Sequence, residues 1–97
     1  ACSPIGLHGM CGRSWQTRQP IIVDDIATLG ASYIACDPKD RSELVLPCLT
    51  AGGSCWGVLD LDSWDLAAFH EDDAAALAQL LSIAGLSSPQ VLSPRRL

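Results

Sequence analysis

Basic side chains are scarce in this chain: six Lys and Arg stand against eleven Asp and Glu, a net charge of −5 over 97 residues. That balance argues against nucleic acid or an anionic membrane as partner, because both are bound through excess positive charge. No apolar run approaches the roughly 20 residues of a membrane-spanning helix, and no secretory signal pattern opens the chain. The five cysteines are odd in number and include no Cys-x-x-Cys pair. Neither a closed disulfide framework nor a zinc site is therefore the natural reading. A reducing, cytoplasmic setting with redox-active thiols fits better. Internal repeats are missing. So is an initiator methionine: Ala1 comes first, which suggests a start inside a longer product or after processing.

What is there is globular, 48% hydrophobic and 18% charged, and of a length for one small domain. Residues 34–63 organise it, as a cysteine-bearing loop that feeds a β-hairpin. Two apolar runs flank Gly52-Gly53, a signal for a tight turn between antiparallel strands. With these glycines as the central turn residues, Ala51 faces Ser54, Val45 faces Asp60 and Glu43 faces Asp62. Alternation then places Glu43, Asp60 and Asp62 on one face and Leu44, Leu46, Leu59 and Leu61 on the other. Opposed residues have Cβ atoms roughly 4.5 to 5.5 Å apart, and like charges there destabilise a sheet. A solvated face is one reading of the three carboxylates. The other is a pocket that receives a cation, or that holds one carboxyl protonated by mutual repulsion. Pro47 cannot donate to the ladder and marks an edge or a bulge, which could slip this register. Cys48 and Cys55 fall on the leucine face as packing residues. Trp56 shares the carboxylate face but lies about 13 Å from Asp60 along the strand.

Elsewhere, glycine before and Pro20 after bound a helix over residues 10–18, on which Met10 shares a face with Ser14, and Cys11 with Trp15. Cys11 lies in its first turn, where the dipole and free N–H groups favour a thiolate; a small buried hydrophobe is the plainer reading. Residues 1–5 read as the end of a strand carrying Cys2, and residues 20–24 as a β-branched strand. Residues 25–42 offer no convincing strand or long helix beyond a single turn over 31–36. Cys36 precedes Lys39 and Arg41, whose charge would favour its thiolate; an incidental loop cysteine is the plainer reading. Residues 71–85 read as a helix, acidic in its first turn and apolar at Leu77, Leu80, Leu81 and Ala84, that covers the leucine face. His70 reads as a residue of the helix N-terminus. The domain spans residues 1–86, followed by a mobile tail over 87–97.

Gly9-Met-Cys-Gly12, Ile34-Ala-Cys-Asp37, Ser42-Glu43 and Gly57-Val-Leu-Asp-Leu-Asp-Ser63 resemble, in order and approximate spacing, the motifs of free methionine-(R)-sulfoxide reductases. These are a branch of the GAF domain superfamily, and the resemblance runs from Cys2 to about Leu81. It implies an α+β fold, an antiparallel sheet with helices on one face and a ligand pocket on the other. About three main strands, one short N-terminal helix and one C-terminal helix would remain here, because the family's N-terminal helix and first two strands have no counterpart. The unpaired sheet edge this would leave points to a homo-oligomer.

The resemblance also implies reduction of free methionine-R-sulfoxide to methionine, without a cofactor and with thioredoxin as electron donor. By position, Cys36 resembles the nucleophile. Cys2 resembles the resolving cysteine and Cys11 a further cysteine of the redox set, with the order of the two open. Glu43, Asp60 and Asp62 resemble the substrate-binding residues, Asp62 also an acid. A sulfoxide sulfur is electrophilic only when its oxygen is protonated or hydrogen-bonded as it leaves, which explains a carboxylic acid beside a thiolate. The resulting sulfenic acid would condense with a second thiol. Tyr33 departs from the family's usual histidine, the spacing of Cys2 to Cys11 is one residue short, and Cys48 and Cys55 are extra. A non-catalytic GAF-type ligand-binding or dimerisation module is the second reading.

Overall fold

In a computed structural model that describes residues 9–32, 39–89 and 94–97, the chain runs through seven elements. They are α1 (Gly9–Thr17), β1 (Ile21–Val23), a 3₁₀ helix (Ile26–Ser32), β2 (Ser42–Leu49), β3 (Cys55–Ser63), α2 (Glu71–Ile83) and β4 (Arg95–Arg96). The strands form one sheet in the order β3-β2-β1-β4. The three main strands pair antiparallel as expected, whereas β4 joins β1 in parallel and makes the sheet mixed. The strand end proposed for residues 1–5, with Cys2, and the loop cysteine Cys36 lie outside the described residues.

Alternation along the strands separates two cores. On one face Ile22, Leu44, Leu46 and Cys48 pack against Ala74, Ala78 and Leu81 of α2. The small alanines let the helix approach the strands closely, while Leu80, expected on the apolar face, and Ile83 point outward at 59% and 75% exposure. On the other face Ile21, Val23 and Val45 pack against Met10 of α1 and Ile26 of the 3₁₀ helix. The helices thus divide between the two faces: α2 covers the leucines, and α1 lies beside the carboxylates.

The hairpin register is the one read from the residues, with Glu43 opposite Asp62 and Val45 opposite Asp60. The turn that produces it differs. Gly53 N–H donates to the Thr50 carbonyl at 2.9 Å and Thr50 N–H to the Ser54 carbonyl at 2.8 Å. Ala51 and Gly52 are therefore the central residues, and Gly53 follows with φ +85°, a left-handed conformation that glycine adopts without a Cβ clash. Thr50, not Ala51, faces Ser54. This moves the pairing by one, and a bulge moves it back: Leu49 pairs with Cys55 but Cys48 with Gly57, leaving Trp56 unopposed. The bulge corrects the placement of Trp56, whose Nε1–H donates to the Leu86 carbonyl just beyond α2 at 2.9 Å. Pro47 stands opposite Val58 with no break, and because β1 flanks only Glu43–Val45 its missing N–H interrupts no pairing there.

Two further corrections concern segments read as irregular. The 3₁₀ helix begins at an Asp25 turn, in which Asp25 Oδ1 accepts from Ala27 N–H at 3.0 Å and the Asp25 carbonyl from Thr28 Oγ1 at 2.8 Å. The tail expected to be mobile instead returns to the sheet. Arg95 N–H donates to the Pro20 carbonyl and Leu97 N–H to the Ile22 carbonyl, and the Arg96 guanidinium bridges Asp24 and both oxygens of Glu71.

Candidate active site

β2 and β3 supply the carboxylates and α1 supplies a thiol. Glycine at position 9, with φ +71°, lets the chain turn into α1, and Met10 and Ser14 bury that helix on the sheet at 4% and 0% exposure. Ser14 Oγ donates to the Gln19 carbonyl at 2.9 Å and fixes the exit. Burying Met10 and Ser14 turns Cys11 toward the strands, half-buried. Its Sγ, a Glu43 carboxyl oxygen and an Asp60 carboxyl oxygen then lie within 4.8 Å of one another. Asp62 faces Glu43 across the pair, on the same strand face as Asp60.

Glu43 is the unusual member. It is only 3% exposed, and its Oε2 is buried without a hydrogen-bond partner. Burial first, then a hydrogen bond to Asp60 and the charges of Asp60, Asp62 and Asp40, push its pKa from an ordinary 4.5 up to about 9. At neutral pH the residue is a carboxylic acid that can donate a proton. Cys11 is held as a thiol: burial, followed by Asp60 and Glu43, raises its pKa from 9.0 to about 12. Of the two readings of Cys11, this favours the buried thiol over the thiolate of a helix start. Burial, with the carboxyl groups of β2 and β3 beside it, outweighs the partial charge of the helix end.

Neighbouring groups hold the strand ends. Ser42, fully buried, donates through Oγ to the Asp65 carbonyl at 2.6 Å and accepts from Ala68 N–H at 3.3 Å. The connector after β3 is thereby tied to the start of β2, beside Glu43. Lys39, expected to act on Cys36, lies over the Trp64 ring at 5.0 Å. Cys48 is buried in the leucine-face core, where desolvation and then Cys55 raise its pKa; Cys55 Sγ donates to the Gly57 carbonyl. His70 stands at the start of α2, where its N–H donates to Asp73 Oδ2 at 2.8 Å. A groove on that side, lined by Leu61, Phe69 and Leu77 among others, contains no thiol among the described residues.

The structure thus brings together Cys11, Glu43 and Asp60, with Asp62 at their margin. The proximity of Cys11 was not readable from its spacing to Glu43; it depends on how α1 crosses the sheet. The burial of Glu43 had a signal in the flanking run of apolar residues from Leu44 to Cys48. Such a constellation can donate a proton from a buried acid, accept a cation, and present a thiol to an intermediate formed beside it.

A family model described as GAF domain matches residues 1–87. The chain is 41% identical over 76 residues to GAF domain-containing protein A of Dictyostelium discoideum, a match covering 78% of this chain and 47% of that protein. It is 35% identical over 79 residues to the free methionine-R-sulfoxide reductase of Escherichia coli, covering 81% and 46%. Among solved structures, the free methionine-R-sulfoxide reductase of Neisseria meningitidis in complex with its substrate superimposes with a TM-score of 0.78 at 40% identity, over 86% of this chain and 49% of that one. The chain spans about half the length of the curated relatives it matches. It belongs to the GAF domain family and is homologous to the free methionine-R-sulfoxide reductases.

Proposed function

We propose that the chain carries the reducing half-site of a free methionine-R-sulfoxide reductase. The observation that supports this most directly is the buried, neutral Glu43 carboxyl beside Asp60 and the Cys11 thiol. In this reading the Cys36 thiolate attacks the sulfoxide sulfur while a proton passes to the departing oxygen, from Glu43 or Asp62. The S–S bond so formed then breaks as the hydroxyl passes from the methionine sulfur to Cys36 Sγ, which releases methionine and leaves Cys36 as a sulfenic acid. Cys2 or Cys11 then attacks Cys36, forming a disulfide and releasing water. A dithiol donor of the thioredoxin class reduces that disulfide and is itself oxidised. The remaining carboxylates accept the substrate ammonium. A reducing cytoplasm suits this cycle.

The test is turnover of free methionine-R-sulfoxide and of the S epimer by the purified chain with thioredoxin, thioredoxin reductase and NADPH. Consumption of NADPH with the R epimer alone supports the reading, and no consumption with either removes it. The second reading, a non-catalytic ligand-binding or dimerisation module, is favoured by the 41% identical relative named only for its domain. It predicts binding of an amino acid without turnover.

A further inference from the structure

We infer that Cys11, Glu43 and Asp60 form a binding site for a thiophilic divalent cation, with Zn2+ the best match. The three donor atoms, from α1, β2 and β3, lie within 4.8 Å of one another. The second, independent observation is Glu43 Oε2, buried without a partner on a side chain only 3% exposed. A buried acceptor without a donor is costly, and a bound cation would satisfy it.

Ligand chemistry narrows the cation. One sulfur and two carboxyl oxygens suit zinc, which takes four ligands with Zn–S about 2.3 Å and Zn–O about 2.0 to 2.2 Å. Those bonds put tetrahedral ligands roughly 3.5 Å apart, so rotation of the side chains by about an ångström closes the set, with water in the fourth place. Mg2+ and Ca2+ prefer all-oxygen shells and gain little from sulfur. Asp62, opposite Glu43, adds negative charge at the margin. On binding, the Cys11 S–H and Glu43 O–H bonds break, both protons go to solvent, and the electron pairs left on sulfur and oxygen form the bonds to the metal; no oxidant is involved. A metal so placed occupies the carboxylates proposed above for the sulfoxide and would exclude it. The site itself rests on geometry and stands whether or not the chain reduces a sulfoxide.

The test is titration of the full, reduced chain with Co2+, followed by displacement with Zn2+, with no sulfoxide present. We expect a thiolate-to-cobalt charge-transfer band and tetrahedral d–d absorption, both abolished by stoichiometric Zn2+. Cys48→Ser should retain the band and Cys11→Ser should lose it. Asp60→Asn, at an exposed position where the fold is least at risk, should weaken binding at least about tenfold, the scale on which even outer-shell partners act. Circular dichroism checks each fold, and the Asp60 variant decides if Cys11→Ser does not fold. Absence of a thiolate band, or unchanged affinity in Asp60→Asn, overturns the proposal.

Discussion

Glu43 and Asp62 stand directly opposite each other on β2 and β3, yet the first is 3% exposed and the second is open to solvent. Two carboxyls in one cross-strand pair therefore sit in different media. The proton stays on the buried one.

Stability should consequently fall as pH rises. Glu43 has a pKa of about 9 when folded against an ordinary 4.5. Below about pH 4.5 both states carry the proton, and the residue favours neither. Between about 4.5 and 9 the folded chain keeps a proton that the unfolded chain has released, so each pH unit costs of order 1 kcal/mol. Above about 9 the loss is complete. Urea midpoints measured across this window should decline, and Glu43→Gln, which needs no proton to be neutral, should flatten the decline. A midpoint that rises with pH would contradict the burial of an acid here.

Under the proposed reaction, Cys36→Ser should abolish reduction of the R-sulfoxide, because a hydroxyl is far less nucleophilic than a thiolate. Glu43→Gln or Asp62→Asn should slow it by about 10²- to 10⁴-fold, the usual contribution of a general acid, while leaving the thiols able to form a disulfide with a small oxidant. Peptide mapping after alkylation reads both. Cys36 still alkylatable after turnover would eliminate it as the nucleophile.

The turn offers a sharper structural test. Gly53 has φ +85° with nothing near a built Cβ, whereas Gly52 has ordinary φ and meets only Thr50 Oγ1 at 3.9 Å. Gly53→Ala should destabilise by about 1 kcal/mol through backbone strain alone. Gly52→Ala should be neutral, or stabilising by up to about 1 kcal/mol through the unfolded chain. Equal effects in thermal melts would return both glycines to the centre of the turn.

Self-association is expected on the proposed reading, because β3 ends the described sheet as a nine-residue edge whose backbone groups can recruit another strand. Sedimentation at high micromolar concentration should give a dimer or larger species. A sharp monomer boundary would count against it.

The residues announced the faces of the hairpin because period-two alternation is strong from Leu59 to Asp62, and the turn between the strands carries it across to Glu43. They announced α2 through its acidic start and glycine stop. The exposure of Leu80 was less legible, since the helix lies on its alanines and helical spacing does not rank one apolar stripe above another. The return of the tail depends on Arg96 meeting Asp24 and Glu71, contacts between residues far apart in the chain. The state of Cys11 was open between thiolate and buried thiol for a related reason: a local cue, the helix start, competes with burial and charges delivered by two other elements. Cys2 and Cys36 lie outside the described residues, so the nucleophile remains a reading of motif.

The bulge at Trp56 has a bearing on how such a hairpin can change over generations. A one-residue gain or loss in an uncorrected loop would invert every side chain on β3 and send the acids into the leucine core. Here a compensating residue sits outside the loop, between Cys48–Gly57 and Leu49–Cys55. Loop length and strand chemistry are thereby uncoupled: a single deletion in the loop and the loss of the bulge would cancel, so descendants could vary the tip freely while inheriting the acids unchanged.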